Sequence, residues 1–131
     1  MSKTGMDSHE RILLWRSSVQ SFLHGSKAIL KRHGVNTKAY HAMLEIWAVP
    51  NNKGLSVGEL AELIHVAHNS AVGVVDQLSR KGLAVRKRDA DDKRVVHVQL
   101  TDQGRMQLAA LVDEHSQELN KVSAELRQVF S

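Results

Sequence analysis

Two groups of residues in this sequence could do chemistry, and in both the chemistry is recognition. The first is His68, Asn69, Ser70, Gly73 and Gln77, with Val72 and Asp76 among them. Asn and Gln amides can form bidentate bonds to adenine edges, and a Ser hydroxyl can bond bases or phosphates. The second is the run Asp89-Ala90-Asp91-Asp92-Lys93-Arg94. Residues two apart on an extended strand share a face, so the Asp92 carboxylate can brace the Arg94 guanidinium. A braced, extended Arg suits the narrow, negative minor groove of an A·T-rich duplex. Without such a partner, the same pair is an exposed ion pair worth only ~0–1 kcal/mol. Polar residues on an isolated helix face would likewise be merely solvated.

The elements that must position these residues separate the readings. Ser56 with Glu59 three residues on forms a capping box, each side chain satisfying a backbone donor at a helix start. Val57, Leu60, Ala61 and Ile64 then follow at helical spacing. A second helix is predicted from about Ala67 to Lys81, with Ala71, Val74, Val75 and Leu78 on its inner face. Arg80 and Lys81 suit the negative end of its dipole, and Gly82 can supply the left-handed residue that stops it. Fixing that inner face exposes the first recognition group. Leu83–Arg88 and Val96–Leu100 both read as strands, the second alternating apolar Val96, Val98 and Leu100 with His97 and Gln99. The Asp-rich run is the hairpin tip between them. Helix, turn, helix and hairpin make a winged helix-turn-helix, which places one helix in a DNA groove and a loop beside it. Ser56, His68, Asn69, Ser70, Gly73, Gln77, Arg86, Arg88, Asp92, Lys93 and Arg94 are the candidate DNA contacts.

Around this core the sequence places more helix. Residues 1–7 read as a frayed tail, and a helix begins at Ser8 or His9. Ile12, Trp15, Val19, Phe22, Leu23, Ile29 and Leu30 are spaced for one apolar stripe. Gly25 is a weak point in this helix, and His33-Gly34 ends it. Thr37 then caps a helix whose core face is Tyr40, Met43, Leu44 and Trp47, and Pro50–Gly54 is a breaking loop. After Thr101, no Gly or Pro interrupts the chain from Arg105 to Ser131. Leu108, Val112, His115, Leu119, Val122, Leu126 and Val129 alternate in steps of four and three, the seam of a pairing helix. Fully helical, that run spans ~40 Å. So long an apolar stripe wants a partner, most cheaply a second copy, with Trp15, Val19 and Phe22 beside it. Folding back on its own chain is the alternative. His115 in the seam would make a dimer pH-dependent. The expected organisation is 1–36 as an N-terminal helix of a dimerisation region, 37–100 as the DNA-binding core, and 101–131 as a C-terminal dimerisation helix or helices. The fold class is mainly α (α+β).

Composition bounds the function. With 131 residues and 42% hydrophobic content, the chain suffices for one globular core. Net charge is +4 and the pI about 9.6. Arg80, Lys81, Arg86, Lys87, Arg88, Lys93 and Arg94 hold seven of the 18 Lys and Arg residues, a cluster that supplies the salt-dependent phosphate contribution to DNA binding. With no cysteine, disulfides, iron–sulfur clusters and thiol redox sensing are excluded. No run reaches membrane-spanning length and the N-terminus has no secretory pattern, so no membrane contact and a cytoplasmic location are expected. The eight histidines suggest metal, but His65 and His68 straddle a turn without a third ligand, and His24, His33 and His41 read as ordinary surface or core residues. There is no paired base and nucleophile, no Gly-rich phosphate loop and no His-Glu-x-x-His motif, so an enzyme is not expected, nor a cofactor.

Leu60-Ala61-Glu62-Leu63, Val75-Asp76-Gln77-Leu78, Lys81-Gly82-Leu83, Asp91-Asp92-Lys93-Arg94 and Leu100-Thr101-Asp102-Gln103-Gly104 occur in the order and spacing of the MarR family of bacterial transcription regulators, which this chain resembles. The Asp-x-Arg of Asp92 and Arg94 is the most recognisable element. The resemblance implies a homodimer on a pseudopalindromic operator in double-stranded DNA, usually a repressor, often released by a small-molecule effector. It also implies a ligand pocket between dimer helices and DNA-binding core, where Trp15, Arg16, Tyr40, His41 and Trp47 are candidates. Two positions depart from the family. Ala67 stands where a Ser or Thr usually caps the recognition helix, a loss of ~1 kcal/mol. Gly73 stands where that helix often carries an Arg. A winged helix used for protein–protein interaction, with weak or no specific DNA binding, is the alternative function.

Overall fold

The computed structural model describes residues 5–131, so the first four residues of the expected tail lie outside the described ones. The helices are α1 (Ser8–His33), α2 (Thr37–Ala48), α3 (Val57–Leu63), α4 (His68–Arg80) and α5 (Asp102–Phe130), with strands β1 (Ala84–Arg88) and β2 (Val96–Leu100) between α4 and α5. They form two compact units, one of the chain up to Gly34 with Leu111–Ser131, the other of Val35–Ala110.

In the first unit α1 starts on an Asp7–Glu10 capping box and runs through Gly25 to a left-handed Gly34. It lies antiparallel to the later part of α5. Arg11 Nε donates to the Val129 carbonyl at 2.9 Å, Ser18 Oγ to Glu125 Oε2 at 2.8 Å, and Arg32 and His33 both bond Glu114. The buried face is not the predicted stripe. Of that stripe only Ile29 and Leu30 are buried, joined by Ser18 and Ser26, while Ile12, Trp15 and Leu23 are exposed. Small residues explain the choice. A Cβ at Gly25 would meet the Glu118 carboxylate, so the small Ser18–Gly25–Ser26 face receives side chains of α5, while Trp15 and Phe22 flank it with ring centroids 6.0 Å from those of Phe130 and His115.

α5 is one unbroken helix, and its predicted seam splits into two rows. Leu108, His115, Val122 and Val129, seven apart, are buried on the chain itself. Val112 and Leu119 are exposed, and Leu126 is half-buried. The first row is covered by the chain itself, and Val112 and Leu119 are the exposed part of the seam. His115 is the polar member of the covered row. Its Nδ1 is 2.7 Å from the Leu111 carbonyl, which only accepts, so Nδ1 carries the proton. Its Nε2 lies 2.7 Å from Ser26 Oγ, a hydroxyl that can pair with it. Both ring nitrogens are thus paired inside its own chain.

In the second unit Asn36, rather than Thr37, caps α2 by accepting the Ala39 N–H at 2.8 Å. The buried face of α2 is Ala39, Ala42, Met43 and Ile46. Tyr40 and Leu44 are half-buried and Trp47 is 65% exposed, so the core face is rotated from the predicted one. Met43, Ile46, Leu60, Val75, Leu78, Leu83 and Val98 form the fully buried centre. The Ser56–Glu59 capping box opens α3 as expected. Strands β1 and β2 are antiparallel, from Ala84 opposite Leu100 to Arg88 opposite Val96. Leu55 pairs with Val98 on the other side, adding a short third rung.

Two left-handed residues set the angles around α4. Gly82 (φ 74°) ends it, with the Gly82 and Leu83 N–H groups returning to the Ser79 and Leu78 carbonyls. His65 (φ 57°) makes the same kind of turn after α3, where the Val66 N–H reaches the Ala61 carbonyl. A Cβ is disfavoured there, so His65→Gly is expected to stabilise the chain by about 0.5–1 kcal/mol in urea unfolding. Lower stability would mean that the His65 side chain offsets its backbone strain.

Candidate nucleic-acid interface

The exposed residues of α4 are concentrated in its first half. Ala67 is its N-cap and makes no side-chain cap bond, as its side chain dictates. His68, Asn69, Ser70 and Gly73 are exposed, with Val72 half-buried beside them. Space around Gly73 is open, with nothing within 4 Å of where a Cβ would stand. The second half of the helix is already engaged. The Asn36 amide donates to Gln77 Oε1 at 3.0 Å, and Arg86 pairs with Asp76 at 2.8 Å. Gln77 and Arg86, both read from sequence as DNA contacts, thus tie α4 to α2 and to β1. Ser56 is engaged too, its hydroxyl accepting the Glu59 N–H at 3.1 Å.

The wing is built by local hydrogen bonds. Asp89 Oδ2 accepts the backbone N–H groups of Asp91 and Asp92 at 3.0 and 2.8 Å, which folds the tip over itself. Arg88 donates to the Lys93 carbonyl at 2.8 Å, so it closes the loop from one side. His97 Nε2 meets Asp89 Oδ1 at 3.3 Å at the base, and His97 Nδ1 is buried with no hydrogen-bond partner among the described residues. At the tip, Arg94 Nε and one terminal nitrogen each bond a different Asp92 oxygen at 3.0 Å. Arg94 remains 90% exposed while doing so. This is the brace expected from the Asp-x-Arg spacing. Lys93 is exposed beside it.

Charge keeps the brace closed. The Arg94 side chain, and then its backbone N–H, hold the Asp92 carboxyl below the usual range, while the Arg94 pKa is raised in return. Asp89 is lowered chiefly by the backbone N–H groups of Asp92 and Asp91. A lowered carboxyl favours the folded wing above the unfolded Asp value of about 3.9 and loses that contribution as pH falls through the lower, folded value. The Arg94 Nε–H NMR signal is therefore expected to stay constant from pH 8 to 5. A transition within that window would mean that the brace is not held by the ionised carboxylate.

Sequence reasoning missed three supports: Asn36, the Asp76–Arg86 tie and the Asp89 turn. Only Asp89 had a local signal, an Asp opening an Asp-rich tip. The candidate ligand residues are not gathered within either unit. Trp15 lines a hollow of about 400 Å³ with Arg11, Ile12, Val129 and Phe130 in the first unit. Trp47 lines one of about 350 Å³ with Pro50, Leu100 and Arg105 in the second. Arg16 is exposed, and His41 bonds Glu45 at 3.0 Å one turn along α2.

A family model described as MarR family matches residues 33–95, from the end of α1 through the wing tip. Over that stretch the chain matches the MarR family. Among curated relatives, it is 35% identical over 98 residues to a protein named for transcriptional regulation of the hcr operon in Thauera aromatica, covering 75% of this chain and 57% of that one. It is 25% identical over 99 residues to the transcriptional repressor MprA of Escherichia coli K12, covering 73% and 56%. The chain thus spans little more than half the length of these relatives. Both are named for transcriptional regulation, in keeping with the sequence reading. Its fold is that of S. aureus MepR. A mutant of that protein superposes with a TM-score of 0.78 at 18% identity, over 86% of this chain and 82% of that one. A second mutant, bound to an oligodeoxyribonucleotide, superposes with 0.68 at 19% identity, over 92% and 83%. No helix among the described residues is long and apolar enough to cross a membrane.

Proposed function

We propose that this chain is a sequence-specific DNA-binding transcription regulator, acting as a homodimeric repressor on a pseudopalindromic operator. The observation that carries this reading is the wing tip. A guanidinium held by two bonds to Asp92, yet 90% exposed, is positioned by the wing while still open to a partner. That suits insertion into a minor groove. Beside it the exposed first half of α4 offers Asn69 and Ser70 to base edges. The likeness to a MepR mutant bound to an oligodeoxyribonucleotide and the repressor name of MprA support the reading.

The homodimer rests on apolar surface. Ile12, Leu13, Trp15 and Leu23 on α1, and Val112, Leu119 and Phe130 on α5, are large apolar residues left exposed on one chain. A second copy would cover them and set two wings on half-sites ~34 Å apart, about one DNA turn. A small-molecule effector that releases the dimer from its operator belongs to the same reading.

Fluorescence anisotropy with DNA upstream of the gene for this protein, against a scrambled duplex across a salt series, tests it. A preference of about 10³-fold or more with a steep salt slope is expected. Salt-insensitive binding to a protein partner, with none to DNA, would establish the interaction module instead. The uncharged face of α4 and the three wing aspartates are what would suit such a partner.

A further inference from the structure

The loop after α2 lies over one face of the hairpin. Across the strands Val85 stands opposite Gln99 and Lys87 opposite His97, so these four share that face. Gln99 Nε2 donates to the Lys53 carbonyl at 3.4 Å, and Gly54 packs so closely that a Cβ there would overlap the Val98 carbonyl. The loop is fixed in place by these contacts, with Asn51 and Asn52 both left-handed (φ 60° and 52°). Between loop and strands remains a hollow of about 400 Å³, lined only by residues of the second unit. It is therefore distinct from the pocket beside the dimer helices that the family resemblance implies.

Its lining is cationic. Lys53, Lys87 and Arg88 stand against a single carboxylate, Asp89. The ion pairs among the described residues of this unit are His41–Glu45, Arg86–Asp76, Arg94–Asp92 and His97–Asp89, so Lys53 and Lys87 take part in none. Glu59, the nearest other acid to Lys53, has its carboxyl lowered first by its bonds to Ser56 and only last by that lysine. Asp89 is already engaged at both oxygens, by the Asp91 and Asp92 N–H groups and by His97. Arg88 gives one nitrogen to the Lys93 carbonyl and keeps the others. Asn52 gives its oxygen to Arg105, which leaves its amide N–H groups as donors.

We propose that this hollow binds a compact, multiply charged anion, a polycarboxylate or a phosphate monoester, and that its occupancy weakens DNA binding. Only the second half rests on the DNA-binding reading above. Three cations with amide donors suit several anionic oxygens at once. No Phe, Tyr or Trp lines the hollow, so an aromatic monoacid finds no ring to stack on. A duplex backbone meets the exposed Lys87 and Arg88 at the rim, whereas a small anion also reaches the half-buried Gln99 and His97. Bound there, it cancels charge on the wing and removes part of the attraction for phosphates.

NMR titration of the full chain at constant ionic strength tests the site, using citrate, glycerol 3-phosphate and, as aromatic control, benzoate. Citrate or glycerol 3-phosphate is expected to shift the Lys53, Lys87, Arg88 and Gln99 signals saturably, with a Kd below about 1 mM. The tighter of the two assigns carboxylate or phosphate. Lys53→Gln and Lys87→Gln should each weaken that binding at least about fivefold. Lys27→Gln, the same loss of charge at an exposed position of α1, should weaken it less than about twofold. Shifts that do not saturate, tighter binding of benzoate, or equal losses in all three variants would overturn the site. So would shifts of these residues by a duplex and by neither anion, which would assign the cations to DNA phosphates. Anisotropy with a duplex selected from a random library then reads the regulatory half. The anion at saturation should weaken binding at least about threefold at matched ionic strength, and less in Lys53→Gln. An anion that binds without affecting a specific duplex would overturn that half and leave the regulator reading intact. A library that yields no enriched duplex would bring down the regulator reading and the regulatory half, with the site still decided by the titration.

Discussion

Arg94→Ala is expected to weaken binding to a selected duplex by about 1–3 kcal/mol, roughly ten- to a hundredfold, while leaving the fold and the oligomeric state unchanged. Both halves of this expectation come from geometry. Arg94 is 90% exposed, so its removal opens no cavity. The Asp92 carboxylate that it leaves still accepts the backbone N–H of residue 94, at 3.1 Å in the present chain, so the tip keeps its turn. What disappears is a prepositioned guanidinium. Loss of affinity should therefore be seen by anisotropy with an unchanged thermal melt. Arg94→Lys keeps the charge but not the two-bond fork to Asp92, and it should fall between the two. Unchanged affinity in Arg94→Ala would remove the minor-groove role of the wing.

Leu119→Asp is expected to convert the proposed dimer to monomer, with the dimer dissociation constant rising by a hundredfold or more. Leu119 is 49% exposed on one chain, so the substitution costs the isolated protomer little. In a dimer the same site would bury two facing carboxylates, and uncompensated buried charge costs about 3–5 kcal/mol. Sedimentation at micromolar concentration reads the outcome, and a cooperative urea transition confirms that the monomer folds. Affinity for a palindromic site should fall with it, because the two half-sites would no longer be bound together. A variant that remains dimeric would show that a second copy does not use the Val112–Leu119 row.

Local rules carried the sequence reading a long way, and the residues where they held share a feature. The Ser56–Glu59 capping box, the missing cap at Ala67, the left-handed Gly82, the alternation in β2 and the Asp92–Arg94 brace each depend on neighbours within a few positions. Backbone sterics and hydrogen-bond reach determine such features wherever the segment lies in the fold. The positions that differed depend on which face of a helix meets a distant one. Periodicity marked an apolar stripe on α1, but the small face of Ser18, Gly25 and Ser26 is the one that receives side chains of α5. Along α5 the steps of four and three describe two rows equally well. Packing against α1 buries His115, which meets Ser26, and leaves Leu119 outside. Trp47 lies on the face of α2 that the core does not use, and Gln77 is tied back by Asn36 from 41 residues away. By itself the sequence determined the winged helix, its wing brace and the absence of any Lys or Arg in the recognition helix before Arg80. Tertiary structure decided which apolar residues the chain covers with itself and which polar groups it has already spent. Those choices turn on shape complementarity and pairing across long sequence separations, which no short-range pattern encodes.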